Sequence, residues 1–117
     1  MNCSELISRY NLHDSLLESI TVSDDGLTAV LIIDFCNWAQ NQYIETEPET
    51  YLIKVIFSNV ETFVYDDHEL NSDTILDAKS ISPTSIEIVT LHDETNEISV
   101  LRISAREVRI EKMDRDE

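Results

Sequence analysis

Over residues 16–35 apolar side chains recur largely at alternate positions, and a polar break at 23–26 divides the pattern. Leu16, Ile20 and Val22 alternate with polar residues across 16–23. Residues 27–35 are apolar on both faces, with Leu27, Ala29, Leu31, Ile33 and Phe35 on one and Val30 and Ile32 on the other. A period of two marks a half-buried strand, and apolarity on both faces marks a central one. Between them Ser23-Asp24-Asp25-Gly26 holds the single glycine of the chain. A short hairpin loop needs a residue there that tolerates positive φ. Residues 12–38 therefore read as a linker followed by the central hairpin of an antiparallel sheet.

The flanking segments fit around that hairpin. Residues 2–10 read as a short helix: Asn2 caps the first turn with Glu5 three residues on, and Leu6, Ile7 and Tyr10 share one side. Asn11, a residue that accepts the left-handed conformation, is the expected stop. So short a helix is stable only when docked on the sheet. Strand alternation resumes over 51–57, with Tyr51, Ile53, Val55 and Phe57 inward. A kink at Ser58-Asn59 leads to a further short strand over 60–65. Residues 66–77, with five acids and a histidine, read as a loop. Pro83 precedes a β-branched strand over 85–91, and 92–96 is a polar turn without glycine. Residues 97–112 alternate almost throughout, as one long bent strand or two short ones, with the bend near Ala105-Arg106. Met113 onward should fray.

The fold class that follows is mainly β: six or seven antiparallel strands with meander connections, as a curved sheet or small sandwich, with one short N-terminal helix. A chain of 117 residues, 42% apolar, makes one domain over 1–117 with a single core. No basic region leads into an apolar run at Met1–Glu5, and no apolar stretch approaches the roughly 18 to 20 residues a bilayer requires. The expectation is a soluble cytoplasmic protein. Cys3, near a mobile end, and Cys36, at the end of a core strand, make no disulfide framework. Apolar surroundings would raise the Cys36 thiol pKa and leave it inert.

Charge is the most unusual property: 24 acidic residues against 8 basic ones give a net −16. Residues 1–101 hold 19 acids and 3 bases, and residues 102–117 hold five of each, so the whole excess precedes Arg102. Such a field repels nucleic acid and anionic membrane and attracts cationic partners. The bases Arg102, Arg106, Arg109, Lys112 and Arg115 are expected to pair with acids on neighbouring strands.

Several residues bear on chemistry. In His13-Asp14-Ser15, neighbours on an extended chain point apart, so a self-contained triad is excluded; Asp14 or Ser15 is expected to accept backbone N–H groups where the chain enters the strand. Glu45, Glu47 and Glu49 lie in a polar connection, and if extended they form an acidic ridge at period two that guards a sheet edge. Asp66, Asp67, Glu69, Asn71 and Asp73 supply oxygens in the 66–77 loop, but no glycine turns it as a calcium loop requires. His13, His68 and His92 each sit beside an aspartate, which is the carboxylate–imidazole adjacency of zinc sites. Acids are so numerous here that such adjacency arises by chance.

A short helix, His13-Asp14-Ser15, an alternating strand, an Asp/Gly turn, a long apolar strand and Phe57-Ser58-Asn59-Val60 together resemble a group of small acidic bacterial β proteins. Some of these are immunity proteins of polymorphic toxin systems, of the immunity protein 50 type. The resemblance covers residues 12–35 and 51–60 and implies no enzymatic activity and no cofactor. The expected function is a non-enzymatic interaction module that binds a basic protein such as a toxin or nuclease, through Glu45, Glu47, Glu49, Asp66, Asp67, Glu69 and Asp73. The alternatives are a metal-dependent enzyme or cation-binding domain using His68 or His92 with adjacent acids, and a scaffold component.

Overall fold

A computed structural model describes residues 1–65 and 73–113 of the chain. The elements are α1 (Cys3–Arg9), β1 (Leu16–Val22), β2 (Thr28–Cys36), a 3-10 turn (Asn37–Ala39), β3 (Thr50–Tyr65), β4 (Asp73–Ser82), β5 (Ser85–His92) and β6 (Glu97–Lys112). All strand pairs are antiparallel, and the six strands close into a barrel in the order β1-β2-β3-β6-β5-β4. Two three-stranded meanders make it up, β1-β2-β3 and β4-β5-β6. They are joined by β3 lying along β6 and by a short seam in which Leu16 and Leu17 of β1 face Thr74 and Asp73 of β4. Closure gives each strand a neighbour on either side, although at this seam only Leu16 and Leu17 of β1 are paired, so the rest of the β1 and β4 edges is not joined there.

The central hairpin forms over the expected residues, but in β1 the buried side chain is Leu17 and not Leu16, Val22 is exposed, and a register shift between Leu17 and Ser19 breaks the expected alternation. Gly26 takes φ +74°, its N–H bonds to the Ser23 carbonyl, and Asp25 accepts from the Leu27 N–H at 2.9 Å and the Ser23 hydroxyl at 2.6 Å. Those two donors hold the Asp25 carboxyl below its usual range. Leu27 departs from expectation: it belongs to the turn and is 52% exposed, so the inward series starts at Ala29.

Long β3 and β6 bend at matched positions. Asn59 takes φ +54°, and the register shifts between Val60 and Thr62, opposite Ala105 and Ser104. The kink at Ser58-Asn59 and the bend near Ala105 are thus one feature, and neither interrupts its strand. Phe57 of β3, Leu101 and Ile103 of β6, and Ile86 and Ile88 of β5 are buried and fill the barrel with Leu31, Ile33 and Phe35 of β2.

The segment read as a loop over 66–77 ends sooner, because Asp73 begins β4. That strand carries register shifts between Ile75 and Asp77 and between Ser80 and Ser82, which put its apolar residues out of phase and hide the period of two.

The helix forms with the expected capping box: Asn2 Oδ1 accepts from the Glu5 N–H at 2.9 Å, and Glu5 accepts from the Asn2 N–H at 3.1 Å. Its buried face, Cys3 and Leu6, joins the barrel core, so Cys3 is held inside and not on a mobile end. The Cys3 N–H bonds to the Pro83 carbonyl, and Met1 exchanges hydrogen bonds with Val108 of β6. The helix does not stop at a left-handed Asn11. Its cap, Tyr10, is extended, and the first left-handed residue is Asp14, with φ +69°.

Candidate interaction surface

The segment leaving β2 is anchored from both sides. Asn37, nearly buried, donates from its side chain to the Pro48 carbonyl at 2.9 Å, and the Trp38 N–H bonds to the Glu49 carbonyl at 3.0 Å. Gln40 reaches back to the segment after α1: its Nε2 donates to the carbonyls of Asn11 and Cys36, and its Oε1 accepts the Asn11 N–H. Residues 44–47 close a turn in which the Ile44 N–H is held by Glu47 Oε1 and the Glu47 N–H by the Ile44 carbonyl. The connection is therefore folded, not extended, and Glu45, Glu47 and Glu49 do not line one ridge at period two. All three remain exposed.

Glu45 and Glu49 instead flank two aromatic rings. Trp38, 51% exposed, and Tyr43 line an open notch of about 550 Å³ with these carboxylates, and Ile44, 59% exposed, stands beside them in the chain. Exposed tryptophan and tyrosine are the residue types that carry binding energy at protein interfaces. The acid pattern did not single out these rings. Their signal in the sequence was Trp38 immediately after the inward strand series, where the period of two had ended.

Of the other expected binding residues, Asp73 is fully buried at the β1–β4 seam, where Leu17 faces it, so a partner cannot touch it. Its inward placement follows from the strand phase that makes Ile75, two residues on, a core residue. Asp66, Asp67 and Glu69, with His68, lie outside the described residues.

On the opposite flank of the loop, Tyr10, Phe35 and Tyr51 form an aromatic run, with centroids 5.8 and 5.5 Å apart and Lys112 Nζ 4.5 Å from the Tyr51 ring. Burial pushes the Tyr51 hydroxyl pKa up, reinforced by the neighbouring Tyr10 hydroxyl and the Glu47 carboxylate. Clefts of about 450 and 230 Å³ border these rings and share Arg9, Tyr10, Gln40 and Gln42. Arg9 is held there by Glu5 at 3.1 Å.

The His13-Asp14-Ser15 segment is architectural. Ser15 is fully buried, and its Oγ accepts the Cys36 N–H at 3.0 Å, tying the start of β1 to the end of β2. His13 Nδ1 lies 3.3 Å from Asp14 on the surface. Cys36 Sγ donates to the Asp14 carbonyl at 3.2 Å, and burial raises its thiol pKa. Among the described residues no three or more His, Cys, Asp or Glu side chains gather as a metal site would require.

Charge is distributed unevenly. Arg102 bonds Glu87 at 2.9 Å, with Lys79 3.5 Å from the same carboxylate; Arg106 lies 3.7 Å from Glu61 and Arg109 3.9 Å from Glu111. Lys79, Arg102, Arg106 and Arg109 thus meet carboxylates on the β4–β5–β6 side and its join with β3, whereas Lys112 lies over the Tyr51 ring, Arg9 pairs within α1, and Arg115 lies outside the described residues. Residues 10–53, which supply β1, β2, the loop and the start of β3, contain Asp14, Glu18, Asp24, Asp25, Asp34, Glu45, Glu47 and Glu49 and no lysine or arginine.

No protein-family model matches the chain, and neither does any curated protein. Among solved structures, the barrel is similar to the crystal structure of an uncharacterized protein from Neisseria gonorrhoeae, at 19% identity and a TM-score of 0.51, over 88% of this chain and 95% of that one. This likeness is one of fold. Among the described residues no helix is long and apolar enough to cross a membrane.

Proposed function

We propose that this chain is a non-enzymatic acidic binding module whose partner is a basic protein, as in an immunity-type inhibitor that covers the cationic surface of a toxin or nuclease. The observation that carries the reading is the base-free stretch of residues 10–53, set beside arginines that already hold carboxylates elsewhere. A stretch that supplies eight acids and no lysine or arginine presents a net negative field to an incoming partner, and complementary charge speeds encounter and fixes orientation. The loop adds exposed aromatic area at the same place, held in one shape by Asn37 and Gln40. Rigid amphipathic rings cost little conformational entropy on binding. Two buried thiols suit a reducing cytoplasm.

The test is affinity capture with the purified protein, followed by calorimetry of the purified pair at 50 and 300 mM salt. The reading expects a basic partner whose activity is blocked stoichiometrically, with affinity falling about tenfold or more over that range. A neutral or acidic partner, or an affinity indifferent to salt, contradicts it.

A further inference from the structure

We propose that the notch between Trp38 and Tyr43 is a receptor for one arginine side chain of a protein partner, the guanidinium stacking on the Trp38 indole and donating to Glu45 and Glu49. This rests on the reading of the chain as an acidic binding module and names the group that module recognises. Four residues line the notch: two aromatic and two carboxylate. A cation over an aromatic face is drawn by the ring quadrupole, most strongly for tryptophan. Carboxylates beside the ring supply acceptors for its N–H groups, and a planar guanidinium both stacks and donates in a fork, which a lysine ammonium does not. The same molecule shows a ring face already filled: Lys112 sits over Tyr51 at 4.5 Å. Among the described residues no such cation is recorded over Trp38 or Tyr43, and the base-free stretch around them supplies none from nearby sequence. The notch is held open by backbone bonds, Trp38 to Glu49 and Tyr43 to Gln40, so its two walls are set before any ligand arrives.

Trp38 is the only tryptophan, so its indole N–H gives one resolved signal. The experiment titrates the labelled protein with acetyl-Gly-Arg-Gly-amide, with the lysine peptide and with the citrulline peptide, which keeps the shape without the charge. The expected result is a saturable indole shift in about the millimolar range for arginine, roughly fivefold weaker for lysine, and none for citrulline. E45Q/E49Q abolishes the arginine titration and Y43L weakens it, while D24N/E107Q, which removes the same charge elsewhere, leaves it unchanged; melting curves confirm that each variant is folded. An equal response to citrulline, an equal response to lysine, or saturation that survives in folded E45Q/E49Q overturns the proposal. A captured basic partner that binds E45Q/E49Q as tightly as the parent removes the notch and leaves the module. Saturation by arginine without any basic partner does the reverse.

Discussion

Ser15 shows how a residue suggestive of catalysis serves the scaffold. Its buried hydroxyl is the acceptor for the Cys36 N–H, and S15A leaves that donor without a partner. The expected cost is about 1–3 kcal/mol, read from denaturant unfolding. Gly26 isolates a different effect: nothing lies within 4 Å of an added Cβ, so G26A meets only the backbone penalty of φ +74°, about 1 kcal/mol. Glu87 links charge to pH. Its hydrogen bond from Arg102, then the nearby Lys79, holds its carboxyl below the ordinary value. A folded-state pKa below the unfolded one contributes stability that is present above the unfolded value and is lost as pH falls through the folded one. R102Q should therefore melt below the parent at neutral pH, with the gap closing in acid as Glu87 protonates in both proteins. A gap that persists unchanged in acid assigns the effect to lost packing.

Among the elements, α1 and β4 differ most in how well their sequences announced them. In α1, Asn2 and Glu5 three residues apart form a local signal, and the capping box reads directly from it. N2A should cost about 1 kcal/mol, and L6A, which empties a fully buried site, about 2–5 kcal/mol, both by thermal or denaturant melting. In β4 the strand exists only through pairing with β5 and β1, and two register shifts break its alternation. Asp73, read as a surface acid, is buried because it shares the inward phase of Ile75 where β4 meets β1. The hairpin at Gly26 and the paired bends at Asn59 and Ala105 were visible because a turn or a change of phase marks them locally. Barrel closure was not, since it depends on Leu16 and Leu17 meeting β4, more than fifty residues away. The acids of the 45–49 loop were also visible as composition. Their true arrangement was set by Asn37, Gln40 and Glu47 hydrogen bonds that no period encodes.

At the scale of the molecule, a net −16 is a standing repulsion that the compact barrel must overcome. Added salt screens it over a Debye length of about 8–10 Å, so the melting temperature should rise with sodium chloride while affinity for a basic partner falls. The two responses have opposite sign because one reports charges repelling within the chain and the other reports them attracting across an interface. Residues 10–53, which supply the β1–β2 side and its loop, hold eight acids and no lysine or arginine, whereas on the β4–β5–β6 side Lys79 and Arg102 meet Glu87. The most direct measurement is the association rate and affinity of the captured partner for the parent and for E45Q/E47Q/E49Q at 50 mM salt. Glutamine at 47 keeps an oxygen for the Ile44 N–H, so the loop holds its shape while three charges go. The account predicts affinity lower by about tenfold or more, with most of the loss in the association rate. Unchanged rate and affinity would contradict it.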